Sequence, residues 1–206
     1  MEKTDLYIYG VEARSMTTPS KRDQLIEAGL DLFYRHGFNA TGIDKVLAEA
    51  GVAKMTLYKH FPSKQALIQA VLQRRDEDFR EWLMRYVEAR ADSARGRLLA
   101  LFDAHGEWFA EKDFRGCLFL NAAAAFSGVA DEVATLSRTH SRLSHAYIRG
   151  LAAAAGARNP DRLADRLMLL IDGAIACAQV SKDPGWAAKA REAAAVLIDA
   201  ELRQEA

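Results

Sequence analysis

From Pro19 onward the apolar positions recur with a helical period. Leu25, Ala28, Gly29, Leu32 and Phe33 fall at i, i+3, i+4, i+7 and i+8, the stripe of an amphipathic helix. Thr18 is placed to cap it, with Pro19 at the first helical position, where a missing N–H costs nothing. His36-Gly37 ends it, glycine tolerating the left-handed conformation past a helix. A second helix carries Ile43, Val46, Leu47 and Ala50 inward, opens on the capping-box pattern Thr41-Gly-Ile-Asp44 and stops at Gly51. A third and very short helix is expected from Ala53 to His60. Pro62 breaks the chain again and Ser63 can cap a fourth helix, which meets no Gly or Pro before Glu88. Leu67, Val71, Phe79, Trp82, Leu83 and Tyr86 mark its buried side. At 1.5 Å per residue it extends about 39 Å, long enough to belong to two regions. Further helices are predicted at roughly 93–111, 116–128, 131–155, 160–181 and 186–203, separated by Lys112-Asp113, Gly128, Gly156–Pro160 and Asp183-Pro184-Gly185.

Composition strengthens this all-α reading of about nine helices. Ala occurs 38 times, 30 of them after residue 88, and it is the best helix former. Strand alternation and a G-x-G-x-x-G fingerprint are both absent, which excludes a dinucleotide-binding fold. No apolar run reaches the ~18 residues of a membrane span. Two cysteines allow neither a disulfide framework nor a four-ligand zinc site, so no metal and no cofactor is expected, and a cytoplasmic location is. Residues 1–17 lack a helical stripe and read as an N-terminal extension. The chain carries 28 Lys and Arg against 28 Asp and Glu, but this zero is unevenly distributed. Residues 1–75 hold 11 basic and 8 acidic side chains, and residues 76–206 hold 17 and 20. A mildly basic head is followed by a mildly acidic body.

The head carries the more specific chemistry. Two short helices joined through Gly51 have the spacing of a helix-turn-helix. Leu57 and Phe61, four apart, face inward with Val52, so Lys54, Met55, Thr56, Tyr58, Lys59 and His60 stay largely outside. A helix that short buries little area but fits a DNA major groove. Lys54 and Thr56, early in the helix, suit base edges; Lys donates to guanine, and Met55 or the Thr56 methyl can touch a thymine methyl. Tyr58, Lys59 and His60 suit phosphates through hydroxyl and charge. Lys64 opposes the dipole of the helix it opens, which favours an anion bound there.

The spine Ala28…Leu32-Phe33…Gly37…Thr41…Ile43…Ala48…Gly51-Val52…Leu57-Tyr58…His60-Phe61…Ser63-Lys64…Leu67 resembles the DNA-binding domain of the tetracycline-repressor (TetR) family over about fifty residues, with matching spacings. The resemblance implies an all-helical homodimer, usually a repressor, whose C-terminal domain binds a small-molecule inducer. It also implies that Thr41, Tyr58 and Lys64 touch the backbone of double-stranded operator DNA. Met55 stands where many members have Gly, and Ala53 where relatives often have a capping Ser. The chain then divides into the extension 1–17, a helix-turn-helix domain 18–65 and a ligand-binding and dimerisation domain 66–206.

In the body, large side chains of mixed polarity concentrate between residues 79 and 147. Trp82, Tyr86, Phe102, His105, Trp108, Phe109, Phe119, Asn121, Phe126 and Tyr147 are expected to line an effector site with apolar walls and a few orienting polar groups. Leu163, Leu167, Leu170, Ile171, Ala174 and Ala178 form one stripe, and Ala190, Ala194, Leu197 and Ile198 another, both assigned to a dimer seam. Two other functions compete. A redox-sensing regulator would use Cys117 and Cys177, and an all-helical enzyme would use His105, Asn121 or Asp172, although no positioned nucleophile–base pair accompanies them.

Overall fold

The computed structural model describes residues 19–126 and 131–202; the extension 1–17 and Thr18 lie outside them. Nine helices occur among the described residues: α1 (Lys21–His36), α2 (Ile43–Ala50), α3 (Lys54–His60), α4 (Lys64–Arg90), α5 (Ala94–Ala110), α6 (Leu118–Ala125), α7 (Asp131–Ala154), α8 (Pro160–Ser181) and α9 (Trp186–Leu202). They form two compact units. The first takes the described residues up to Trp82 together with Asn121–Ser137; the second takes Leu83–Leu120 and everything from Arg138 onward. Both α4 and α7 contribute to each unit.

In the first unit α1 buries Leu25, Ile26, Leu32 and Phe33 almost completely and packs on α2 and α3. Its cap differs from the expectation. Ser20, not Thr18, is the N-cap and accepts from the Asp23 N–H at 3.1 Å, so Pro19 precedes the helix. At Gly29 an added Cβ would sit 3.0 Å from Val71 Cγ2, so glycine lets α1 and α4 approach closely. The expected capping box at α2 is absent. Gly42 is the N-cap without a side-chain bond, because the Thr41 hydroxyl turns inward. Gly51 ends α2 at φ 61°, the left-handed conformation that glycine adopts without a Cβ penalty. Its N–H and that of Val52 return to the last carbonyls of α2, and this closes the turn into α3. Ser63 caps α4 as expected, accepting from Ala66 N–H at 3.1 Å.

The second unit is built around α5, whose buried side chains cover most of its circumference, from Leu98 to Phe109. It packs against α8 and α9, and α8 and α9 pack on each other. Arg162 and Arg166 both reach the buried Glu201 carboxylate, at 2.8 and 3.4 Å, and fasten the end of α9 to the start of α8.

Candidate nucleic-acid interface and effector region

The surface of α3 is polar because only Leu57 of the helix is buried, with Phe61 beneath its C-terminal end and Val52 beneath its start. Lys54, Met55, Tyr58, Lys59 and His60 are exposed, and Thr56 is half-buried. Met55 is 83% exposed, the least enclosed large apolar side chain of the head. No fold-stabilising role explains a methionine so placed. Lys54 Nζ lies 3.7 Å from Asp44 Oδ1 on α2, a loose and solvated pair that leaves the ammonium free to move to a stronger anion.

Two of the residues assigned to the DNA backbone serve the fold of the head. Thr41 is fully buried, and its hydroxyl is directed at the carbonyls of Gly37 at 2.8 Å and Leu32 at 3.2 Å. The hydroxyl so placed is a latch across the α1–α2 turn. Lys64 is half-buried and donates to the Phe38 carbonyl at 2.6 Å; burial lowers its pKa below the usual lysine value. One of its three N–H donors is thereby used inside the head, and two remain for an anion.

Phe38, whose carbonyl Lys64 meets, is held through its side chain as well. Its ring stacks on Phe33 at 5.4 Å and meets the edge of Phe126 at 5.4 Å. Phe126, expected in an effector pocket, is thus packed on the turn of the reading head. Gln69 of α4 donates to Glu132 of α7 at 2.6 Å, a further tie within the first unit.

Arg22 is the residue that sequence periodicity missed. Exposed on the first turn of α1, its guanidinium sits 5.4 Å from the Phe61 ring centroid, at the C-terminal end of α3. The His60 ring is also near Phe61, with centroids 6.4 Å apart. Its only sequence signal was a basic pair, Lys21-Arg22, at a helix start where acidic residues are favoured.

In the second unit Phe102, His105, Trp108, Phe109 and Phe119 are each 5% exposed or less. His105, Trp108, Phe109 and the unforeseen Phe114 form one aromatic cluster, with ring centroids 5.0–6.1 Å apart. His105 Nδ1 donates to the Leu101 carbonyl at 2.7 Å, which fixes the neutral tautomer, and burial pushes its pKa down to about 4. Phe119 stacks on His140 at 3.8 Å. Tyr86 donates to Glu107 Oε1 at 2.8 Å, and burial with that bond raises its pKa to about 12. The Tyr147 hydroxyl is enclosed and has no hydrogen-bond partner among the described residues. Trp82, half-buried on Phe79, and Asn121 fall in the first unit with Phe126.

The expected dimer stripes contribute to packing inside the single chain. Leu163, Leu167, Ile171, Ala174, Ala178, Ala190, Ala194 and Ile198 are buried there, and Leu170 and Leu197 are half-buried. They lie on α8 and α9, which pack on each other and on α5. The opposite faces are the open ones: Leu169 is 74%, Val180 85% and Val196 67% exposed. Gly173 and Ala176 continue the α8 face between Leu169 and Val180, and Ala193 and Ala200 flank Val196 on α9. Both cysteines are free thiols, Cys117 buried and Cys177 half-buried. Among the described residues no group of three or more His, Cys, Asp or Glu is placed to hold a metal ion, and no helix is long and apolar enough to cross a membrane.

A helix-turn-helix with a polar, exposed second helix, carried on an all-helical body, defines a class of DNA-binding regulators. Residues 25–71 match the family model of bacterial regulatory proteins, tetR family. The chain is 30% identical over 161 residues to the HTH-type transcriptional repressor DhaR of Mycobacterium sp. strain GP1, covering 75% of this chain and 80% of DhaR. It therefore belongs to the TetR family of transcriptional regulators. The HTH-type transcriptional activator FasR of Mycolicibacterium smegmatis is 36% identical over 96 residues, 47% of this chain and 43% of FasR. Apart from DhaR, the chain spans about half, or less, of the length of such curated relatives. The TetR-family regulator SCO4454 from Streptomyces coelicolor superposes with a TM-score of 0.79 at 28% identity, over 89% of this chain and 96% of that one.

A valine at position 41 gives a direct test of the buried latch. Thr41→Val keeps the shape and strips a donor from two carbonyls, so the head should lose about 1–2 kcal/mol of stability. The salt dependence of DNA binding should stay unchanged, because no phosphate contact is removed. Thermal melting and binding isotherms at several salt concentrations check the two halves separately; a shallower salt slope would restore Thr41 to the interface.

Proposed function

We propose that the protein binds operator DNA as a homodimer through α3 and represses transcription until a small, largely apolar or aromatic effector releases it. The observation that carries the DNA reading is the face of α3, where a cation, an apolar base-reading side chain, a phenol, a second cation and an imidazole stand exposed together. Lys54 and Met55 at the start of α3 meet base edges, and Tyr58, Lys59, His60, Arg22 and the spare donors of Lys64 hold phosphates. The exposed faces of α8 and α9 pair across a two-fold axis. The effector lies in the second unit against the aromatic side chains of α5 and α6, with the partnerless Tyr147 hydroxyl as its orienting group. Coupling runs along α4, whose first turn is hooked to Phe38 by Lys64 and whose last turns belong to the effector-binding unit. An effector acts only if it favours one arrangement of the heads over the other, and operator DNA must then weaken effector binding by the same factor.

The test is a titration of the protein with duplexes drawn from the DNA flanking its own gene. Lys59→Ala should weaken binding to all sequences alike and reduce the salt slope by about 2 per dimer. Met55→Ala and Lys54→Ala should instead change which sequences are preferred, by about 1–3 kcal/mol for a lost base contact. If neither class of substitution alters binding to any duplex, α3 does not enter the groove.

A further inference from the structure

Helices α7 and α8 of the second unit face each other through a ladder of ion pairs. Arg149 Nε meets Asp161 Oδ1 at 2.7 Å, and one turn along His145 Nε2 meets Asp165 Oδ1 at 2.9 Å. The same steps lead to Arg142 and Arg138 on α7, and to Met168, Leu169 and Asp172 on α8. There the ladder stops and an open groove of about 560 Å³ separates the helices. That volume lies within the range of small-molecule sites.

Both signs of charge are left over in this groove. Arg142 is exposed and has no ion pair among the described residues, whereas Arg138 has a partner of its own. Asp172 is half-buried and has no ion pair or hydrogen bond among the described residues; burial raises its pKa, opposed only by the nearby His140. Between them Met168 and Leu169 supply an apolar floor. A simple cation entering the groove would meet the arginine wall, and a simple anion would meet Asp172. A molecule bearing both charges satisfies both walls. We propose that the α7–α8 groove binds a small zwitterion of the ω-amino carboxylate type, its carboxylate on Arg142, its ammonium on Asp172 and its methylene chain on Met168 and Leu169. Asp172 lies about one turn of α8 beyond the level of Arg142, so the two charges of the ligand must be held apart by a flexible apolar spacer. The site does not depend on the DNA-binding reading.

Isothermal titration of the full chain with 6-aminohexanoate tests it, with hexanoate and hexylamine as single-charge controls. The zwitterion should bind at least tenfold more tightly than either control, and Arg142→Met and Asp172→Asn should each weaken it by tenfold or more. Three results would overturn the assignment: no binding at about 10 mM zwitterion, equal binding of hexylamine or hexanoate, or undiminished binding by both variants. Leu169 also belongs to the exposed face of α8, so a fourth result has a definite meaning. Binding seen only in a protein made monomeric by Ala176→Asp with Val180→Asp would assign the groove to a second copy of the chain instead.

Discussion

Aspartates placed at Ala176 and Val180 should produce a folded monomer whose affinity for a two-half-site operator falls by at least a hundredfold. Val180 is 85% exposed and Ala176 lies on the same open face of α8, so the single chain loses no packing when either is changed. In an isologous seam each residue meets its symmetry mate or a near neighbour, so two new carboxylates per chain become four in one desolvated patch. Unpaired charges there cost several kcal/mol, more than a seam of small apolar side chains can offset. Separating the heads then removes the advantage of binding both half-sites at once, which is worth on the order of 10²–10⁴ in affinity. Leu167→Ala is the contrasting substitution. Leu167 is fully buried among α5, α8 and α9, and its truncation should cost about 2–5 kcal/mol of folding stability. Sedimentation and fluorescence anisotropy distinguish the two. A double aspartate variant that still sediments as a dimer and binds the operator at wild-type strength would place the seam elsewhere.

That contrast also shows where the sequence stops being informative. Pro160 at the start, and the break ahead of Asp183-Pro184-Gly185 where Lys182 turns left-handed at φ 57°, delimit α8 at the residues read from the chain, since proline acts through local backbone geometry alone. The helix-turn-helix was legible for the same reason, with Gly51 at the turn and Leu57 and Phe61 four apart. The two apolar faces of α8 were not separable by period. Leu163, Leu167 and Ile171 repeat as Leu169, Gly173, Ala176 and Val180 do, and only the position of α5 decides which stripe is internal. Larger side chains on the inner stripe were the available hint.

Side chains whose partners are backbone atoms were the least visible. The family resemblance implies a DNA contact for Thr41 and the sequence pattern a cap, whereas the acceptors of its hydroxyl lie four and nine residues back. Phe126 was grouped with the aromatic side chains of the body by composition, whereas a tertiary contact sets it on Phe38. Lys64 and Phe126 thus converge on one residue of the α1–α2 turn, one through the carbonyl and the other through the ring. Displacing α4 or the end of α6 acts on the same short loop, directly before the helix-turn-helix.

Acidification should destabilise the second unit through His105. Its folded pKa is about 4 because burial disfavours the charged ring, while the unfolded value is near 6.5. Above the unfolded value both states hold a neutral ring and His105 contributes no pH dependence. As pH falls below about 6.5 the unfolded chain takes up a proton that the folded chain refuses, and stability is lost until the folded ring titrates near pH 4. The loss should amount to roughly 2 kcal/mol at pH 5 and level off near 3 kcal/mol below pH 4. Acid also acts on other groups of the chain, so the measurement is a difference. His105→Gln keeps an amide donor for the Leu101 carbonyl and has no proton to gain. Chemical denaturation at pH 7.5 and pH 5 should therefore show a smaller acid loss for this variant than for the wild type, by about 2 kcal/mol. Equal losses in the two proteins would mean that the imidazole is protonated in the folded chain, and that the aromatic cluster around it admits water.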